Sequence, residues 1–281
     1  MKLSSAASHF NNTICTDAYT GQYLFAGQFA LFDDTKRDSE PGGRRVLSLD
    51  PLYTPPLRRV IEAQGARYIL GDASPDSFRG SVIRVGYVAH EAIDNAHVRT
   101  LAQASLGQQG VTMYVGRTWV KNMAYTDQDS KLAQQIHVHA ASSEAAIEPL
   151  RLVTVGTAHY LIRQVTVGTT GLAVAQCDEM PGPVLESAQV ISGTYDPITD
   201  SVQGVSTGVG VVRVRWQSLF EYTYDGTATF GAGDAQFVIA KAAMTVRPGA
   251  QVTLSDGPWK IASAQSHGDV WLCRGVRSGQ A

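Results

Sequence analysis

Three times along this chain a hydrophobic strand turns back through a glycine into a second strand that opens on an aromatic residue. The first copy runs from Ile61 through Gly65 and Arg67–Tyr68–Ile69–Leu70 to Arg79–Gly80 and Val82–Ile83–Arg–Val85. The second runs from Val153–Thr–Val155–Gly156 through His159–Tyr160–Leu161–Ile162 to Thr170–Gly171–Leu172–Ala–Val174. The third runs from Val252–Thr–Leu254–Ser–Asp256–Gly257 through Trp259–Lys–Ile261 to His267–Gly268–Asp–Val270–Trp271–Leu272. Aromatic and β-branched runs bounded by glycine or Asp-Gly signal hairpins, because those turn residues supply the positive φ that closes antiparallel strands. The chain therefore reads as small β-barrel units strung together, a build suited to binding and assembly.

Composition bounds the domain count and the partners. With 281 residues, 44% hydrophobic and 17% charged, the chain fills one large core or two ordinary ones, and two domains is the expectation. The 27 glycines suit many short strands with tight turns. A net charge of -2 leaves no basic surplus for tracking along a nucleic-acid backbone, so DNA is expected only as passing cargo. No run approaches the roughly 20 apolar residues that span a bilayer, so no membrane partner is expected. Met1–Lys2–Leu3 has one basic residue and no apolar run after it, which reads as a chain made in a cytoplasm and kept there. Cys15, Cys177 and Cys273 are odd in number and widely spaced. They read as buried free thiols rather than a disulfide framework or a zinc site.

The natural division lies at Glu179–Met180–Pro181–Gly182–Pro183, where two prolines around a glycine stop a strand or helix. It gives a mixed β domain with barrel-like hairpins over 1–180 and a β-barrel domain over 187–281. The fold class is mainly β: two small barrel-like domains, with short helices and long loops in the first. In that first part 55–64 and 127–135 read as short helices, and 44–49, 67–70, 81–88, 111–115, 135–139 and 153–174 as strands. Residues 32–44 and 117–131 read as long loops, where interaction surfaces collect. In the second part strands are expected over 188–194, 210–216, 219–224, 234–240, 251–254, 259–264 and 270–274, with Asp225–Gly226 and Asp256–Gly257 as hairpin turns.

The second part carries a resemblance. Its marks are Gly193–Thr–Tyr195–Asp196–Pro197–Ile–Thr199, a Gly/Ser/Thr/Val loop to Val211, and Phe220–Glu221 ahead of Asp225–Gly226–Thr227. They continue with Gly231–Ala–Gly233–Asp234–Ala–Gln–Phe237, Val246–Arg–Pro248–Gly249–Ala–Gln–Val252, Gly257–Pro–Trp259–Lys–Ile261 and a closing Leu272–Cys–Arg274. In this order they resemble the small β-barrel proteins of tailed-bacteriophage necks and tail tops, which include head-closure, head–tail joining and tail-completion proteins. The resemblance covers about the last 95 residues. It implies a structural virion protein, not an enzyme and without a cofactor, assembled in the host cytoplasm into a ring at the head–tail junction. It also implies portal or adaptor and tail proteins as partners. A tail-tube-top or baseplate component is the nearest alternative.

Two stretches suit such a ring. Residues Val202, Gly204, Val205, Thr207, Gly208 and Val209 alternate small or β-branched with polar character and carry no charge, so they could form an inter-subunit arm that pairs with a neighbour. A flexible glycine-rich surface loop is the plainer alternative. Arg213 and Arg215 share one face of a strand beside Val212, Val214 and Trp216. They offer interface or channel charge, or else sit as solvated arginines.

A reading from a different class starts at His137–Val138–His139, with Glu144 five residues on. Two histidines at i and i+2 on a strand can chelate one metal, as in the first motif of cupin metalloenzymes. The flanking glycines of that motif are absent, Lys131 and Arg151 standing in their place, and His159 is the only further nearby ligand candidate. A site needs three or four converging ligands, so no metal is expected. Gly204–Val–Ser206–Thr–Gly208 matches the nucleophile-elbow pattern in letters, but valine and glycine follow where a helix should start. No phosphate-binding loop or dinucleotide fingerprint is present.

Overall fold

The structure, a computed structural model, describes residues 12–31, 45–49, 59–78, 81–92, 94–119, 135–141, 146–168, 172–180, 184–196, 198, 201–214 and 235–277. These form three closed six-stranded barrels of one topology. The first comprises β1 (Asn12–Asp17), β2 (Tyr23–Leu31), β3 (Arg45–Leu49), β4 (Val60–Ala63), β5 (Ala66–Phe78) and β6 (Ser81–Glu91), in the order β1-β2-β3-β6-β5-β4. The second comprises β7 (Asp94–Thr100), β8 (Val111–Trp119), β9 (Gln135–Ala141), β10 (Arg151–Val155), β11 (Ala158–Val167) and β12 (Leu172–Glu179), in the order β7-β8-β9-β12-β11-β10. The third comprises β13 (Leu185–Asp196), β14 (Ser201–Val214), β15 (Ala235–Ala240), β16 (Gln251–Leu254), β17 (Gly257–His267) and β18 (Val270–Arg277), in the order β13-β14-β15-β18-β17-β16. Each barrel is two three-stranded meanders joined at both margins, which leaves the wall no open edge.

The sequence repeat is the second meander of each barrel, in one register. Ile61 faces Tyr68, Val153 faces Tyr160 and Val252 faces Trp259, each three positions either side of a two-residue turn. All six residues are buried. The turns earn their register locally: Gln64 and Gly65 both take positive φ (52° and 75°), as a type I′ turn requires, and Gly156 takes φ 58° at the first turn position. A cross-strand pair of aromatic and β-branched side chains then fills the barrel just inside the turn.

The expected mainly β, barrel-built fold is what the chain adopts. Residues 1–180, expected as one domain, hold two of the barrels, while the third begins at Leu185. Strand 251–254 falls where the sequence placed it. The helix expected over 55–64 is corrected: Val60–Ala63 is β4, because Val60 and Ile61 are β-branched and pair with Ile69 and Tyr68 across the Gln64–Gly65 turn. Residues 55–58 lie outside the described residues, as do 32–44, positions 127–134 of the helix expected over 127–135, strand 219–224 and the Asp225–Gly226 turn. Of the loop expected over 117–131, Arg117–Trp119 continues β8 against β9, and the rest lies outside the described residues.

One helix is described, α1 (Leu101–Ser105). Thr100 caps it: its hydroxyl accepts the Gln103 amide, and the Gln103 side chain accepts the Thr100 amide in return. Such a capping box satisfies two donors that the first turn would leave orphaned.

By compactness the chain divides into Met1–Ala96 with Thr112–Pro149 and Ile162–Cys177, and His97–Val111 with Leu150–Leu161 and Asp178–Ala281. In the former, Cys15, Phe25, Ile61, Tyr68, Leu70, Tyr87 and Ala89 fill the first barrel. In the latter, Val190, Val209, Val211, Phe237, Ile239, Val252, Trp259 and Ile261 fill the third. There Leu101 and Ala104 of α1 pack with Leu152, Leu161, Val212, Val214 and Val238. The three cysteines are buried free thiols, as expected, and burial pushes Cys15 up to about 11 and Cys273 up to about 12.

Candidate functional site: the β13–β14 ribbon

β13 and β14 pair over twelve residues, from Leu185 opposite Val212 to Asp196 opposite Ser201. β13 meets β16 only at Gln189–Ile191, and β14 meets β15 only at Val212–Val214. Beyond those contacts, among the described residues, the two strands pair with each other alone and leave the barrel as a two-stranded ribbon of ~17 Å. At its tip the Ile198 amide donates to Asp196 Oδ1 at 2.9 Å, and the Ile198 side chain is 93% exposed.

The glycine-rich stretch is thus a strand, not a surface loop. Continuous pairing with β13 supplies what glycine's conformational freedom would otherwise dissolve. Gly193 and Gly204 stand opposite each other so closely that a Cβ on either would collide with the other strand's backbone. Val205 is 73% exposed, and Gln203, Gly204, Ser206 and Gly208 are exposed. Val202 and Thr207 are partly so. Val209 departs from the expected arm: it is buried among Val211, Phe237 and Trp259, because the ribbon has by then become barrel wall. Ser206 lies mid-strand and donates to Gln189 Oε1 at 3.1 Å, so the sharp strand-to-helix turn of a nucleophile elbow is not formed.

The root of the ribbon is held by charge and by one hydroxyl. Arg213 Nη2 donates to Asp256 Oδ1 at 2.6 Å, and its Nε lies 3.0 Å from Glu186 Oε1 without hydrogen-bond alignment. Asp256 also accepts from Trp259 Nε1 at 2.9 Å, and Glu186 accepts from the Ser255 amide and hydroxyl. Burial works to raise the Asp256 carboxyl, but the Arg213 and Trp259 hydrogen bonds and the Arg213 charge outweigh it and hold the group below its ordinary range. Arg213, expected as interface or channel charge, spends that charge within the chain, clamping β14 to the β16–β17 turn. Arg215 lies outside the described residues. The Ser105 hydroxyl donates to Gly210 O at 2.6 Å and accepts the Ala240 amide at 3.0 Å. It thereby bridges β14 and β15 where their ladder parts. Glu186, Gln189, Gly208, Thr253 and Ser255 line an open cleft of about 610 Å³ beside this root.

The histidine pair reads differently. His137 and His139 lie two apart on β9 with rings 6.5 Å apart edge to face, and His139 stacks on His90 at 4.9 Å. Burial holds His137 below its ordinary pKa. His159 belongs to another set, its Nδ1 3.0 Å from Thr154 Oγ1, which also accepts from Arg99. Burial and then the Arg99 charge lower its pKa. Among the described residues no group of three or more His, Cys, Asp or Glu could hold a metal ion, and Glu144 lies outside them.

No family model, curated protein or solved structure matches this chain. Among the described residues no helix is long and apolar enough to cross a membrane.

Proposed function

We propose that this chain is a structural virion protein of a tailed bacteriophage, which forms a ring at the head–tail junction, extends the portal channel and docks the tail. Its work is mechanical, without a chemical step, and packaged DNA passes it as cargo. Its partners are further copies of itself together with the portal or adaptor and tail proteins of the same particle. The observation that carries the reading is the exposed ribbon on a closed barrel. A barrel wall offers no edge for pairing, so association through main-chain hydrogen bonds needs an element that leaves the wall, and the β13–β14 ribbon does so. Repeated around a ring, such contacts multiply into a seal. The marks of the resemblance in the third barrel add support, since they include both the ribbon and the β16–β17 hairpin that anchors its root.

Mass spectrometry of purified parent particles, after separating DNA-filled heads from detached tails, tests this. Copies travelling with the heads support the neck assignment, and copies travelling with the tails move the protein to the tail top or baseplate. Absence from both fractions rejects the virion reading.

A further inference from the structure

The ribbon has two margins, and they are unequal. The Arg213 amide donates to Val184 O at 2.7 Å. Antiparallel alternation from that bond turns the main-chain groups of residues 203, 205, 207 and 209 toward β13, and those of Val202, Gly204, Ser206 and Gly208 away from it. Gly210 confirms the phase, since its carbonyl faces outward to Ser105. Along this outer margin, among the described residues, Val202 to Gly208 has no partner strand. It carries no lysine, no proline and no charge, the devices by which edges are ordinarily blunted. The β13 margin is shorter: only Gly193 and Tyr195 point outward before Pro197 ends it.

The outer margin is also its own complement. Turned about a two-fold axis at Val205, it sets Val202 against Gly208 and Gly204 against Ser206, with Gln203 beside Thr207 and Val205 beside its twin. Val202 meets a glycine, Gly204 meets a serine, the two Val205 side chains meet each other, and no charges oppose. Such a pairing makes about eight main-chain hydrogen bonds, whereas the β13 margin of another copy can return about four. It also covers Val205, the most exposed hydrophobic side chain of the paired strands at 73%.

We propose that two copies of this chain associate across that two-fold axis, their β14 strands pairing antiparallel through Val202, Gly204, Ser206 and Gly208. The occupant of the edge is a second copy of the same chain. An isologous pair closes on itself, so the dimer stands independently of the ring and competes with ring neighbours for the edge. Ring formation then requires the dimer to open.

Val205 sits at a non-hydrogen-bonded pair of the proposed ladder, where opposing Cα atoms approach to about 4.5 Å and a disulfide fits. Val205→Cys is expected to become a covalent dimer on mild oxidation, while Gln203→Cys, which falls beside the partner's Thr207, stays single. The buried native cysteines keep the background low. Val205→Lys, which sets two ammonium groups against each other, is expected to weaken dimerisation by roughly tenfold or more in sedimentation equilibrium. Circular dichroism checks that each variant keeps the native fold. Equal crosslinking of the two cysteine variants, or a wild-type chain sedimenting as one copy of 30.1 kDa at every concentration up to about 100 μM, where an interface of this size should register, overturns the proposal.

Discussion

Two hairpins of the third barrel share a backbone plan and differ in what their side chains do. In β16–β17, Val252 faces Trp259 and both are buried, at 0% and 5% exposure. In the outer half of β13–β14, Val205 faces Ser192 and Gly204 faces Gly193, and the valine is left in solvent. Main-chain pairing is complete in both, so pairing alone does not separate scaffold from projecting arm. Burial does, and a ribbon whose described side chains stay out of the core keeps its free margin for something else.

Several substitutions would break or sharpen that contrast. The largest effect is expected from Trp259→Ala, which empties the space that Val252 and Phe237 share with it. It should cost about 3–5 kcal/mol in chemical denaturation, whereas Val205→Ala should stay within about 0.5 kcal/mol. Equal losses would erase the distinction. Next comes a pair of glycines on one strand. At Gly210 a methyl group would fall on the Ser105 carbonyl, and at Gly208 it would meet only the end of the Gln189 side chain at 3.3 Å. Gly210→Ala should cost about 1–3 kcal/mol and Gly208→Ala less than about 0.5 kcal/mol, read from the same denaturation curves.

Ser105→Ala follows, since it orphans the Ala240 amide and the Gly210 carbonyl together; a loss of about 1–2 kcal/mol is expected. A neutral result would mean that the β14–β15 seam closes without it. The smallest effect lies at the root of the ribbon. The folded Asp256 carboxyl lies below the ordinary 3.8, so its contribution is full above that value and is lost as pH falls through the lower folded one. Thermal melts between about pH 2 and 6 should show a small acid-side decline that Asp256→Asn removes. An unchanged profile in the variant would place the acid sensitivity elsewhere.

What the sequence disclosed follows the same division. The three repeats were legible because each combines a turn glycine with an aromatic and β-branched pair, signals that act within ten residues. Their number also matches the number of barrels, although chain length pointed to two domains, since three small cores fit where two average ones were expected. Pro55 to Gln64 mixes helix and strand formers, so local pattern points to a helix there, and only the pairing of β4 with β5 decides for a strand. The α1 capping box, Thr100–Leu–Ala–Gln103, is present in the sequence, but a helix of five residues is too short to show a helical period between strands. The glycine-rich half of β14 reads equally as an arm or a loop because glycine has poor strand propensity, which twelve ladder pairs override. The Glu186–Arg213–Asp256 clamp and the Ser105 bridge join residues 27 to 135 positions apart, and only the registers of several strands bring them together.

The most direct test of the central claim removes the ribbon and leaves the barrel. Replacing residues 193–204 by a two-residue Asn-Gly turn keeps Val209, Gly210 and the Arg213 clamp in place. The account predicts a monomer with unchanged melting behaviour, while particles carrying it accumulate DNA-filled heads without tails. Tailed, infectious particles at the normal yield would contradict the claim that this protein assembles through its ribbon.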